Sequence, residues 1–259
     1  MKKRWIIVLK ASIIPVSLFW IIIFWNEILE NNSSGWQETK NNYYISQNIQ
    51  KNKNNIEKMA NYCTKNYIPD KNFVLTFDDW PHKTITKEIL QILWKHDITG
   101  IFFLLWENVK KNPDVLKKII KKWHIIWNHT YSHPSLIETN KEKTIKEIAS
   151  TNEIINKNLW EKYPLRLFRP TYWISNEHTQ QILEQKDMVS CLWNLNTKDW
   201  KMSAKWTSKK QIMERINSKI DAQKNNWLNI LLHDNEKNTP KILDEIIKNL
   251  LEKWYSSAF

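Results

Sequence analysis

Residues 66–259 of this 259-residue chain are predicted to form one α/β domain around a parallel sheet, doubly wound or closed into a barrel. A membrane-spanning helix is predicted ahead of it. Three observations carry this expectation. From residue 72 onward, six short apolar runs alternate with stretches of helical period. Five of the six runs are followed directly by ionisable residues, as expected where a parallel sheet presents its carboxyl edge to a ligand. The first 25 residues are almost wholly apolar behind a basic start.

That start is Lys2, Lys3 and Arg4, and the run from Trp5 to Trp25 is interrupted only by Lys10, Ser12, Pro15 and Ser17. About 20 apolar residues cross a bilayer core, and basic residues ahead of them hold the amino end in the cytoplasm. Residues 1–25 are therefore expected to be an uncleaved signal anchor that exports the rest. A cleaved signal peptide, releasing the protein, is the alternative, but Trp25-Asn26-Glu27-Ile28 is a poor cleavage site. Residues 26–65 are rich in Asn, Lys, Gln and Ser and are expected to form a polar stalk, with a helix around 46–60.

The strands are expected at 73–77, 100–104, 124–126, 165–168, 188–193 and 229–232, and the helices at 84–96, 113–122, 141–159, 176–185, 207–223 and 239–253. About 190 residues bury a full core without disulfides. Cys63 and Cys191 lack zinc-finger spacing and are expected to be two separate buried thiols, with pairing outside the cell as the alternative. The net charge of +12 comes from lysines scattered among Asn and Glu, with no basic block interleaved with aromatics. A nucleic-acid partner is not expected.

The strand ends carry the chemistry. Asp78 and Asp79 follow the first run, His129 and His133 the third, Arg169 and Tyr172 the fourth, Asp199 and Trp200 the fifth, and His233 and Asp234 the sixth. Taken singly, each has an ordinary explanation: adjacent Asp residues cap turns, and histidines pack or face water. Gathered on one rim they suit a hydrolytic centre. Two His and one carboxylate leave positions open on a metal ion, a second carboxylate can serve as base, and a further His can protonate a leaving group.

Thr76-Phe77-Asp78-Asp79-Trp80-Pro81 resembles the T-F-D-D-G-P motif of the polysaccharide deacetylases, carbohydrate esterase family four. Asn128-His129-Thr130-Tyr131-Ser132-His133-Pro134 resembles the H-[ST]-x-x-H-P motif, and Arg169-Pro170-Thr171-Tyr172-Trp173 is similar to R-x-P-Y-G with Thr171 in place of proline. Asn196-Thr197-Lys198-Asp199-Trp200 is similar to D-x-x-D-W with Asn196 for the first acid, and Leu231-Leu232-His233-Asp234 matches L-x-H-D. The five motifs stand in family order over roughly residues 66–256.

The resemblance implies a distorted (β/α) barrel and removal of acetyl groups from a sugar polymer. An exported, anchored enzyme would meet peptidoglycan N-acetylglucosamine first, with chitin-type glycans or an acetyl-ester polysaccharide behind it. By position, Asp79, His129 and His133 would hold a divalent metal, usually zinc; Asp78 would be the base, oriented by Arg169. The Tyr172 backbone N–H would stabilise the oxyanion, and His233, charged beside Asp199, would protonate the departing amine. Tyr172, Trp200 and Leu231 would line the substrate pocket. A catalytically silent glycan-binding module is the rival that Thr171 and Asn196 favour.

One compositional feature bears on the same motifs. The chain has 16 Trp and 2 Gly, which together fill about 7% of positions, the share glycine alone has on average. Trp80, Trp127 and Trp173 stand where the family has glycine, and Trp94, Trp106, Trp123, Trp160, Trp227 and Trp254 fall at expected turns or helix ends. Trp193 and Trp200 stand where the family itself tends to have Trp. A gene that uses UGA for glycine, read here with UGA as tryptophan, would produce this pattern. UGG codons at Trp80, Trp127 and Trp173 would contradict it.

Overall fold

The computed structural model describes residues 16–259, apart from 160–161, 203, 206, 223–226 and 235, with side-chain surroundings from residue 39 onward except 41. Residues 1–15 of the expected anchor and Trp160 lie outside the described residues. No helix among those described is long and apolar enough to cross a membrane.

The first helix, α1 (Val16–Lys65), runs through the whole of the segment read as a stalk, 26–65. Residues from Tyr44 onward belong to the compact unit that ends at Phe259. There Ile45, Ile49, Ile56, Met59 and Ala60 lie one helical turn or two apart and are buried in the common core. Asn48 Nδ2 donates to the carbonyls of Ile120 and Lys121, both at 3.0 Å, and Asn52 Nδ2 to that of Trp123 at 3.1 Å. These amides add side-chain donors to backbone carbonyls at the end of a neighbouring helix and just beyond it. The Asn-rich composition that reads as a solvated stalk is in part a set of caps.

The sheet strands are β1 (Asn72–Trp80), β2 (Ile101–Leu104), β3 (Ile125–Asn128), β4 (Leu167–Phe168), β5 (Val189–Ser190), β6 (Leu195–Asn196), β7 (Leu228–His233) and β8 (Ser256–Ser257). Their order is β5-β4-β3-β2-β1-β7-β6, with β8 beside β1, and every pairing is parallel. The path ends on β5 and β6, which do not pair among the described residues, so the barrel is incompletely closed. Helices α2 (Ile85–Lys95), α3 (Trp106–Lys111), α4 (Pro113–Lys121), α5 (Lys141–Leu159), α6 (Glu177–Gln185), α7 (Lys209–Ala222) and α8 (Thr239–Glu252) connect them. β1 carries Phe73, Val74, Leu75 and Phe77, all fully buried, and is flanked by β2 and β7. This central, apolar strand brings Asp78 and Asp79 to the carboxyl edge.

Local chemistry sets the helix limits. Pro113 opens α4 with its fixed φ, and Asn176 caps α6 by accepting from the Thr179 N–H at 3.0 Å. The apolar face of α8, Ile242, Leu243, Ile246, Ile247 and Leu250, is buried at helical spacing. Cys63 of α1 and Cys191, beyond β5, form a disulfide, so the two thiols are not separate. Their pairing crosses 128 positions of sequence and depends on where α1 packs.

Three of the suspect tryptophans adopt a left-handed backbone: Trp123 (φ 66°), Trp173 (φ 55°) and Trp254 (φ 64°). Two of these sit where helices end in a Schellman turn. After α4, Trp123 N–H donates to Ile120 O and His124 N–H to Ile119 O; after α8, Trp254 N–H donates to Leu251 O and Tyr255 N–H to Leu250 O. That site is glycine's commonest helical role. Trp94 and Trp106 are instead helical, and the left-handed residue after α2 is Asp97. Trp80 and Trp127 are buried with indole N–H groups that find no acceptor among the described residues. Trp254 is 85% exposed, so its indole contributes little packing. Trp254→Gly is expected to stabilise the domain by about 1–2 kcal/mol, read as a rise in melting temperature; an unchanged or lower value would contradict the glycine reading there.

Candidate active site

The carboxyl edge of the sheet opens into a cleft of about 400 Å³ lined by Asp78, Asp79, His129, His133, Tyr172 and His233 among others. Of the residues expected at the site, Trp200 and Leu231 also line it, while Arg169 and Asp199 are fully buried behind it. The sheet register explains the gathering. β1 pairs with β7 so that Asp78 lies opposite His233, and His129 follows β3 directly, with its N–H on the Leu104 carbonyl.

Asp79, His129 and His133 each offer a ligand atom, and these atoms lie within 4.8 Å of one another. It is the only such group of three among the described residues. His133 Nε2 is 3.4 Å and His129 Nε2 3.8 Å from Asp79 Oδ1. His129 Nδ1 donates to the Arg169 carbonyl at 2.7 Å, which leaves the Nε2 lone pair for the cleft. Burial, above all, holds His133 below its ordinary value, which favours the neutral ring a metal needs. Two imidazoles and one carboxylate with an open side are the donor set of hydrolytic zinc centres, so these residues fit such an ion. Bound there, it would supply Lewis-acid polarisation of a carbonyl and acidification of water.

Backbone strain concentrates here. Asp79 (φ 70°), Thr130 (φ 74°), His133 (φ 61°) and Tyr172 (φ 54°) are all left-handed, and for the β-branched Thr130 this is a genuine outlier. The Tyr172 ring meets the His133 ring edge-on at 4.8 Å.

Asp78 is held by Arg169, whose Nη1 donates to Asp78 Oδ1 at 2.7 Å and to Thr76 Oγ1 at 2.9 Å. Arg169 Nε donates to the Cys191 carbonyl at 2.9 Å, and the guanidinium lies 3.8 Å over the Phe103 ring. With one oxygen pinned, Asp78 keeps Oδ2 toward the cleft, 3.7 Å from His129 Nε2.

On the other side, His233 Nδ1 bonds Asp199 Oδ1 at 2.9 Å, and the His233 N–H donates to Asp199 Oδ2 at 2.8 Å. Burial alone would lower the His233 value, but the charge and hydrogen bond of Asp199, with Asp78 and Asp79 behind, raise it to about 9. Asp199 is buried too; the His233 charge and hydrogen bonds from His233 and Thr239 outweigh that and hold its carboxyl below the ordinary range. A carboxylate and an imidazolium thus line one cleft, a proton acceptor in the same site as a proton donor.

Three residues with no expected role also serve the site: Thr76 orients Arg169, the Glu147 carboxylate bonds the loop between the two histidines, and Glu236 lines the cleft. Glu147 had a signal: an acid on the otherwise buried face of α5, in line with Thr144, Ile148, Thr151 and Ile155.

The polysaccharide deacetylase family profile matches residues 65–190. A curated peptidoglycan-N-acetylglucosamine deacetylase of Bacillus cereus is 37% identical over 56% of this chain, which spans about half (52%) of that relative's length. A solved peptidoglycan N-acetylglucosamine deacetylase superposes with a TM-score of 0.65 at 30% identity, covering 73% of this chain and 85% of the other. A pseudoenzyme of the same family from Bacillus anthracis superposes equally well, with a TM-score of 0.65 at 26% identity over 73% and 63% of the two chains. This chain belongs to the polysaccharide deacetylase family. The relatives it resembles include peptidoglycan deacetylases.

Proposed function

We propose that this chain is a zinc-dependent N-deacetylase acting on N-acetylglucosamine of an extracellular glycan, peptidoglycan first. The observation that carries the proposal is that Asp78 and His233 line one cleft with the Asp79–His129–His133 triad. Asp78 takes the proton of the attacking water through Oδ2 while Arg169 fixes its plane. The Tyr172 N–H donates to the developing oxyanion of the acetamide. His233 gives its proton to the departing amine, and Asp199 keeps the imidazolium charged until then. Leu231 and Trp200 shape the pocket around the acetyl methyl.

The apolar run of residues 5–25 supports an anchor in the cell membrane with the catalytic domain outside, or release if that segment is cleaved. The Cys63–Cys191 disulfide supports an oxidising compartment.

Asn196, where the family motif has an acid, favours one rival, a silent glycan-binding module. Acetate release from defined chito-oligosaccharides and from peptidoglycan, assayed with and without zinc, separates the two. Zinc-dependent release from N-acetylated glycans supports the proposal; glycan binding without release supports the rival; release from acetylated xylan alone points to an esterase.

A further inference from the structure

Glu147 lies on α5, outside the five motifs, and is 7% exposed. Its Oε2 accepts from the N–H groups of Tyr131 at 2.9 Å and Ser132 at 2.8 Å, and its Oε1 accepts from Ser132 Oγ at 2.8 Å. Tyr131 and Ser132 are the middle of the four-residue step from His129 to His133. The rest of that step is held by the same helix. Asn128 Oδ1 accepts from Thr130 N–H at 2.8 Å, while Asn128 Nδ2 donates to the Ile148 carbonyl at 2.9 Å and to Asn152 Oδ1 at 2.8 Å. Thr130 Oγ1 then accepts from His133 N–H at 3.1 Å.

Two residues of this loop, Thr130 and His133, carry positive φ and would relax elsewhere if released. Two adjacent N–H groups converging on one oxygen make a concave donor site that needs an anion or carbonyl oxygen to fill it. We infer that Glu147 is a positioning residue: its carboxylate fills that site from within the fold and so holds His133 at the distance from His129 and Asp79 that one cation requires. The inference rests on the metal-centre reading above. The magnitude follows from other metal sites, where losing an outer partner of the ligands costs about 10–100-fold in metal affinity.

The test is zinc affinity, measured by chelator competition on the full chain, for wild type, Glu147→Leu and Glu147→Gln. Leucine keeps the helix and the volume but leaves both N–H groups unpaired, and should weaken zinc binding about 10–100-fold. Glutamine can accept both N–H groups with its amide oxygen and donate to Ser132 Oγ, and should recover most of the affinity. Glu147→Leu binding zinc as tightly as wild type, or glutamine recovering nothing, would overturn the role of Glu147. A wild-type chain that takes up no zinc would instead overturn the metal centre, and this inference with it. Amide exchange of the wild-type apoprotein tests the same contacts without any variant. Tyr131 and Ser132 should exchange as slowly as the amides of β3, and exchange at open-loop rates would remove the basis of the inference.

Discussion

Asp78→Asn is expected to lower kcat for acetate release by about 10²–10⁴-fold while leaving the zinc content near that of wild type. Asparagine matches the carboxylate in size and can still accept from Arg169, but it cannot take a proton from water. The three side chains proposed to hold the metal are untouched. The substitution also strips Arg169 of the charge that accompanies it into a fully buried position, and removing one partner of a buried ion pair costs about 3–5 kcal/mol. Melting temperature should therefore fall together with turnover, and the assay belongs well below the lowered transition. Acetate release and zinc content measured on one sample check the expectation. Turnover within tenfold of wild type would remove Asp78 from the role of base.

His233→Ala is expected to cost a similar factor, about 10²–10⁴-fold in kcat, and its neighbour gives the loss a pH signature. The His233 imidazolium is held up to about 9, against the lowering effect of burial, by the Asp199 charge and hydrogen bond, with further help from Asp78 and Asp79. A raised value means the proton is present at neutral pH and is lost as pH rises through it. kcat/KM should therefore fall on the alkaline side in wild type. A cation held by Asp79 would offset part of the carboxylate charge, so the limb is expected at or below about 9. In Asp199→Asn the charge is gone and burial remains, so the limb should move to lower pH. A limb that stays in place in Asp199→Asn would mean that another group donates the proton.

Most of the sheet was legible in sequence because its central strands are short, wholly apolar runs ended by acids or histidines. β1, β2, β3 and β7 fall where Phe73–Phe77, Gly100–Leu104, His124–Ile126 and Asn229–Leu232 indicate. β6 and β8, two residues each, carry too little pattern to detect. The first half of the site was legible for the same reason, since the residues that follow parallel strands share one edge. What was not legible depends on tertiary contact. Nothing local reveals that Asn48 and Asn52 cap a distant helix, or that Cys63 meets Cys191. Glu147 belongs to the same class: its value lies in two amides from another segment, and only its place on a buried helix face hinted at it. The left-handed turns at Trp123 and Trp254 show the converse. There the local backbone favours glycine, and the tryptophan in the sequence fits the turn poorly.

The measurement that bears most directly on the central claim is the zinc X-ray absorption spectrum of the stoichiometrically loaded protein. The account predicts a light-atom shell of nitrogen and oxygen at about 2.0–2.2 Å, with outer-shell scattering from two imidazoles that falls to one in His129→Ala and in His133→Ala. A shell containing sulfur, or one whose imidazole signal is untouched by both substitutions, would place the ion elsewhere in the molecule and contradict the account.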